Sequence, residues 1–246
     1  MTDMKKILFV TLVAAIAALS FSSTAAAQTP THGTFELRFG GYYPAIDDEE
    51  GLTDEPFAEM FGEKDRLMFE LEVGYHIADL YGQLGAYGRA GYSNFKGNAL
   101  TPDAADAGVD EETTSGLTTS FRVFPFRGGL YYRFDWLVRE FNVPIALVGK
   151  AGLDLHWWRA KNSNKNTSEI DGEKAAGVRG GWHAGAALHL WLDWIDQESA
   201  AAFDLNWGIN NTYLFAEYMF TRANGFGRDG FLLNDNQWVF GLAFEY

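Results

Sequence analysis

"NQWVFGLAFEY", Asn236 to Tyr246, closes the chain. Trp238, Phe240, Leu242, Phe244 and Tyr246 share one parity, and Gln237, Val239, Gly241, Ala243 and Glu245 share the other. A repeat of two places successive side chains on opposite faces, so this stretch reads as a β-strand with one strongly apolar face. In a soluble protein that face would rest on a core, and nothing would require the last residue to belong to it. What the face meets must be read from the rest of the chain.

The same alternation recurs upstream. Phe35, Leu37, Phe39 and Tyr43 oppose Glu36 and Arg38, and Leu67, Phe69, Leu71, Val73 and Tyr75 oppose Glu70, Glu72 and His76. Leu84, Ala86, Ala90 and Tyr92 oppose Gln83, Tyr87 and Arg89. From Val143 to Trp157 a Val/Ile/Leu/Ala face opposes Lys150, Asp154 and His156, and from Trp182 to Trp194 a Trp/Ala/Leu face opposes His183, His189 and Asp193. Leu214, Ala216, Tyr218 and Phe220 oppose Tyr213, Phe215 and Glu217. No charge falls on the apolar parity of any of these stretches, so that face lies in a medium without water. Across "FPFRGG", Phe124 to Gly129, the parity of the apolar residues reverses, and Pro125 with two glycines suits a β-bulge in one long strand or a break between two. The long connections, Pro44 to Asp65, Ser93 to Gly116, Ala160 to Val178 and Ala223 to Asn236, alternate with short ones. Eight strands place them all at the end opposite the termini. "QESAAAFDLNWGIN", Gln197 to Asn210, is too long for a short turn and reads as a helix or irregular segment, with a further hairpin, and so ten strands, as the alternative.

Composition narrows the function classes. A net charge of −14 and a pI near 4.7 argue against a nucleic-acid partner, which would need a basic patch. The absence of Cys removes disulfides, thiol nucleophiles and Cys-ligated metals. Lys5 and Lys6, the apolar run Ile7 to Leu19 and the small residues ending Ala25-Ala26-Ala27 have the layout of a secretory signal peptide over residues 1–27, with the mature chain starting at Gln28. That run is shorter than the ~20 residues a membrane helix needs.

Aromatics sit mostly at strand ends (Phe35, Tyr43, Tyr75, Tyr92, Trp157, Trp182, Trp194, Trp238, Tyr246) and small or aliphatic residues fill the middles. Two aromatic girdles round an aliphatic waist, on a sheet that must close to satisfy its edges, describe a membrane barrel. From Gly33 to Tyr246 the chain resembles, in architecture, the small outer-membrane β-barrels of the OmpA, OmpX and OmpW type. In that family the last strand ends in an aromatic with apolar residues at every second position before it, a signal read by the barrel-assembly machinery. Phe240, Leu242, Phe244 and Tyr246 match it, with Tyr in place of the commoner Phe. The resemblance implies an all-β, closed antiparallel transmembrane barrel in the outer membrane of a Gram-negative cell, with both mature termini periplasmic. Lipids and lipopolysaccharide would be its surroundings.

The inward parity carries Glu36, Arg38, Glu70, Glu72, Arg89, Arg122, Arg133, Lys150, Asp154, Asp193, Glu217 and Glu245. The signs nearly balance, as expected for pairing across a lumen that side chains fill. A structural or surface-interaction role is the leading expectation. A narrow channel for small or apolar solutes is the first alternative and a lipid-modifying enzyme the second. Asp154, His156 and His183 converge in an antiparallel hairpin and form the one polar cluster that suggests chemistry; no third ligand is fixed by spacing, so no metal, cofactor or catalytic set is expected. "GFGRDG", Gly225 to Gly230, matches G-x-G-x-x-G but precedes a strand rather than a helix, so it reads as a loop. The acidic loop Pro44 to Asp65 carries Asp47, Asp48, Glu49, Glu50, Asp54, Glu55, Glu59, Glu63 and Asp65. It reads as a solvated face that divalent cations could bridge to lipopolysaccharide phosphates, with a short helix after an Asp54 N-cap and Pro56.

Overall fold

The computed structural model describes residues 31–246 apart from 50, 53, 101–113, 142, 165, 171–172, 194 and 229. The expected signal peptide (1–27), Trp194 and Glu50 lie outside the described residues. Eight antiparallel strands close into a barrel: β1 (Gly33–Tyr42), β2 (Arg66–Asp79), β3 (Gln83–Leu100), β4 (Thr114–Phe134), β5 (Ile145–Lys161), β8 (Ala176–Trp191), β9 (Asn211–Arg222) and β10 (Asp235–Glu245). β6 (Glu169–Ile170) and β7 (Glu173–Lys174) form a separate two-stranded ribbon in the β5–β8 connection. Helices α1 (Pro56–Phe61), α2 (Trp136–Phe141) and α3 (Gln197–Trp207) lie in the connections after β1, β4 and β8. The first strand pairs with the last, from Thr34↔Glu245 to Gly40↔Val239, and Tyr246 completes the seam through Gly33, whose carbonyl accepts its N–H at 3.1 Å. No edge is left along that seam, which a bilayer requires because it offers backbone groups no water.

The exterior follows the alternation. Leu71, Leu147, Leu153, Leu188 and Leu214 point outward, and each barrel strand carries at least one outward aromatic towards the end far from the termini: Phe39, Phe69, Tyr92, Phe124, Trp157, Trp182, Phe220 and Trp238. Phe35, Tyr75, Tyr132 and Phe244 mark the opposite rim. The wall between them is apolar, so it faces lipid.

β4 departs from expectation. Its register with β5 runs unbroken from Ser120↔Lys161 to Phe134↔Leu147, so there is no bulge at 124–129. The pattern reverses because the surroundings reverse. Within the membrane the outside is apolar and the lumen polar; where β4 leaves the membrane the outside is water and the inside is an apolar cap. Phe121 and Val123 therefore point inward and are buried, and Arg122 points outward, not into the lumen. Residues 197–210 contain the helix α3 rather than a hairpin, which settles the strand number at eight. Asp196 caps α3 by accepting from the Ser199 N–H and hydroxyl, which holds its carboxyl below the usual range.

The cap closes the far end. Helix α1 lies across the barrel mouth with Phe57 and Phe61 buried, and Phe57 packs against Phe61, Phe95, Phe121 and Tyr43 at 4.8–5.6 Å between ring centroids. Tyr43 thus belongs to this cluster rather than to the girdle. The N-cap of α1 is Glu55, not Asp54, and its side chain makes no cap bond; the first-turn N–H groups of Phe57 and Ala58 donate instead to the Asp47 carboxylate, each at 2.8 Å. β3 outruns β2, whose last partner on it is Ser93, and α1 lies over the overhang so closely that a Cβ on Gly97 would collide with the Met60 carbonyl.

Candidate functional site

The lumen is filled in layers. At mid-height Arg38, at 0 % exposure, pairs with Glu36 and Glu217 (2.8 Å) and lies 3.6 and 3.7 Å from Glu70 and Glu72. Arg89 donates through Nε to Glu72 at 2.7 Å and lies 3.5 Å from Glu70. Lys150 donates to Glu36 at 2.8 Å and to Glu72. Arg127 pairs with Glu70 and lies 3.4 Å from Asp154. These groups come from β1, β2, β3, β4, β5 and β9, so the network ties non-adjacent strands across the barrel. Charges so buried persist only when paired and hydrogen-bonded.

Towards the cap, His183 Nδ1 lies 2.6 Å from Asp154 Oδ1, and its Nε2 is hydrogen-bonded to the Tyr87 hydroxyl. His156 Nε2 is 3.9 Å from Asp154 Oδ2, so the expected cluster of Asp154, His156 and His183 does assemble. Towards the termini, Arg133 pairs with Glu245 and Gln83, and Glu245 accepts from Tyr213 (2.9 Å) and Asn211 (2.7 Å). His189 stacks on Phe215 at 5.2 Å, and His76 sits 4.0 Å from Glu245. Inward glycines make the room: a Cβ at Gly85 would overlap the Tyr131 ring, and one at Gly241 would meet Phe215.

Glu36, Arg38, Glu70, Glu72, Arg89, Arg133, Lys150, Asp154, Glu217 and Glu245 thus lie inside, and Arg122 does not. Asp193 follows the end of β8, where its carboxylate accepts from the Thr212 N–H at 3.1 Å. Arg127, a central member of the network, escaped the sequence pattern because the supposed bulge hid its parity with Tyr131 and Arg133. Among the described residues no group of three His, Asp or Glu side chains is placed to hold a metal ion. The chain Asp154–His183–Tyr87 has the order of a carboxylate-oriented imidazole acting on a hydroxyl. Its members are 4, 1 and 6 % exposed, buried within the lumen. Gly225 to Gly230 lie in the β9–β10 loop, with Gly225, Gly227 and Gly230 all at positive φ, as a tight loop requires. Phe240, Leu242 and Phe244 project outward on β10, and Phe244 stacks on Phe35 at 6.4 Å.

No protein-family model matches the chain, and no curated protein matches it significantly. Among solved structures it is similar to Ail, the attachment invasion locus protein of Yersinia pestis, at 12% identity and TM-score 0.39, over 87% of this chain and 99% of that one. It is also similar to Neisserial surface protein A (10%, TM-score 0.43, 90% and 100%) and to a major outer membrane protein from Thermus thermophilus (11%, 0.40, 87% and 98%). The barrel assignment rests on the register of the strands rather than on likenesses this distant. A closed sheet with a charged interior and a girdled apolar exterior has the two surfaces of a β-barrel that crosses a membrane.

Proposed function

We propose that this barrel is a closed one, with a structural or surface-interaction role rather than a transport role. The observation that carries this reading is the filling of the lumen: an aromatic cap at one end, paired charges at mid-height and a Glu245–Arg133–Gln83 layer at the other. Both signs meet in the middle, so there is no single-signed path for an ion. In planar bilayers the refolded protein should give no steady unit currents, and excising the α1 loop should not create them, because the ion network below remains. Regular current steps from the intact chain would sink the closed reading and promote the channel.

We further propose that the termini lie in the periplasm and the cap at the cell surface, among lipids and lipopolysaccharide. Four long connections gather at the cap end, whereas the termini end has the tight β2–β3 turn beside the helical β4–β5 and β8–β9 connections, and that balance supports this orientation. The barrel-assembly machinery would then read the last residues. Tyr246→Ala keeps the backbone bonds to Gly33 and removes only the ring. Assembly in cells should fall several-fold, while folding of purified protein into detergent changes by less than about 1 kcal/mol, as for an ordinary surface substitution. Equal losses in the two assays would reduce Tyr246 to a packing residue.

A further inference from the structure

On the outer wall, beyond the aromatic row Tyr92–Phe124–Trp157, the next outward positions on β3, β4 and β5 are Asn94, Arg122 and Arg159. Phe124 lies 5.1 Å from both Tyr92 and Trp157. Arg122 and Arg159 are direct cross-strand partners, which puts their Cβ atoms about 5 Å apart. Like charges so placed repel, and a sheet normally avoids the arrangement. Yet among the described residues neither arginine has a carboxylate partner. Arg122 donates to the Asn94 side-chain oxygen at 3.2 Å. Arg159 rests against the Phe124 and Trp157 rings at 5.6 and 5.3 Å, and its Nε is shielded from solvent with no hydrogen-bond partner. Lys96, exposed at the next outward position on β3, adds to the patch. On a chain of net charge −14, cations gathered with no acid beside them among the described residues call for an anion from outside.

We propose that Arg122 and Arg159, extended by Lys96, form a site for the phosphate headgroup of a membrane lipid. The site rests on the membrane reading above and adds a ligand to it. Its height identifies the ligand: two residues beyond the girdle is about 6.6 Å along the strand, which moves from the acyl boundary into the headgroups. Two guanidinium forks match phosphate oxygens in bidentate fashion and remove the repulsion between them, while Phe124 and Trp157 flank the first acyl carbons.

The test uses the folded full chain in phosphatidylcholine nanodiscs containing a small fraction of phosphatidic acid, with bound lipid read by native mass spectrometry. Phosphatidic acid should be retained over phosphatidylcholine. Arg122→Gln should weaken that retention about fivefold and the Arg122→Gln/Arg159→Gln pair about thirtyfold, from the effect of each cation near a lipid surface. Lys174→Gln, an exposed charge on the β6–β7 ribbon, should change nothing. Millimolar inorganic phosphate should not displace the lipid. Undiminished retention by the double variant overturns the site, and displacement by free phosphate makes it an anion site without lipid preference. Each variant is first run boiled and unboiled in a detergent gel. A parent chain with identical mobilities would remove the membrane barrel itself, whereas a parent that shifts while both variants bind normally removes only the lipid site.

Discussion

Arg38→Met should cost the barrel about 3–5 kcal/mol, because it leaves buried carboxylates with too little positive charge. Arg38 is the one cation within 4 Å of Glu36, Glu70, Glu72 and Glu217 together among the described residues. Glu36 and Glu72 keep Lys150, and Glu70 keeps Arg127, but Glu217 loses its 2.8 Å partner and is left with Arg89 at 3.7 Å and Lys150 at 3.8 Å. Removing both members in Arg38→Met/Glu217→Met should recover much of the loss, since apolar groups of similar volume replace a desolvated pair. Urea titration of folding into vesicles gives both numbers. A single variant within about 1 kcal/mol of the parent, or a double variant no better than the single one, would mean that the lumen is wet enough to solvate an orphan carboxylate.

The second large effect lies on the other face of the neighbouring strand. Leu71 points outward between Leu37 and Ala90, inside the apolar band between the Phe69 and Tyr75 rims. Leu71→Arg should cost about 2–4 kcal/mol, the depth-dependent cost of a cation at the bilayer midplane, and Leu67→Arg, beyond Phe69, about 0–1 kcal/mol. The contrast matters more than either value. Equal costs would show that the outer wall does not meet a hydrocarbon gradient, and two neutral substitutions would invert the assignment of inside and outside.

How much of this was legible depended on whether a strand stays in one environment. β10 and β2 keep lipid on one side and the lumen on the other, so alternation gave their faces, and with them Glu70, Glu72 and the outward aromatics. β4 passes from membrane to water, and its alternation changed meaning at Phe124 while its backbone did not. The pattern mimics a bulge where only the surroundings change, so it sets Arg122 on the wrong face and hides the parity of Arg127. The lumen pairs were beyond reach for another reason. Periodicity assigns a residue to a face, but Lys150 meets Glu36 across the barrel, between strands that are not neighbours, and the chain's curvature is not written in either strand. In the acidic loop the charged residues outnumber Phe57, Met60 and Phe61, whose spacing marks the buried side of α1. The Asp154–His183 contact was readable because a hairpin brings β5 and β8 together locally.

The overhang of β3 has a consequence for how this surface behaves among other chains. Beyond Ser93 the strand has β4 on one side and, among the described residues, no strand on the other, so Phe95 to Leu100 run as an edge. Such an edge offers a row of free N–H and C=O groups to any extended segment that passes. Helix α1, seated against Gly97, occupies that approach. Of the acidic loop's charges Asp47 is tied to the helix it caps, and a chain that lost the helix would expose a template for strand addition between neighbouring copies.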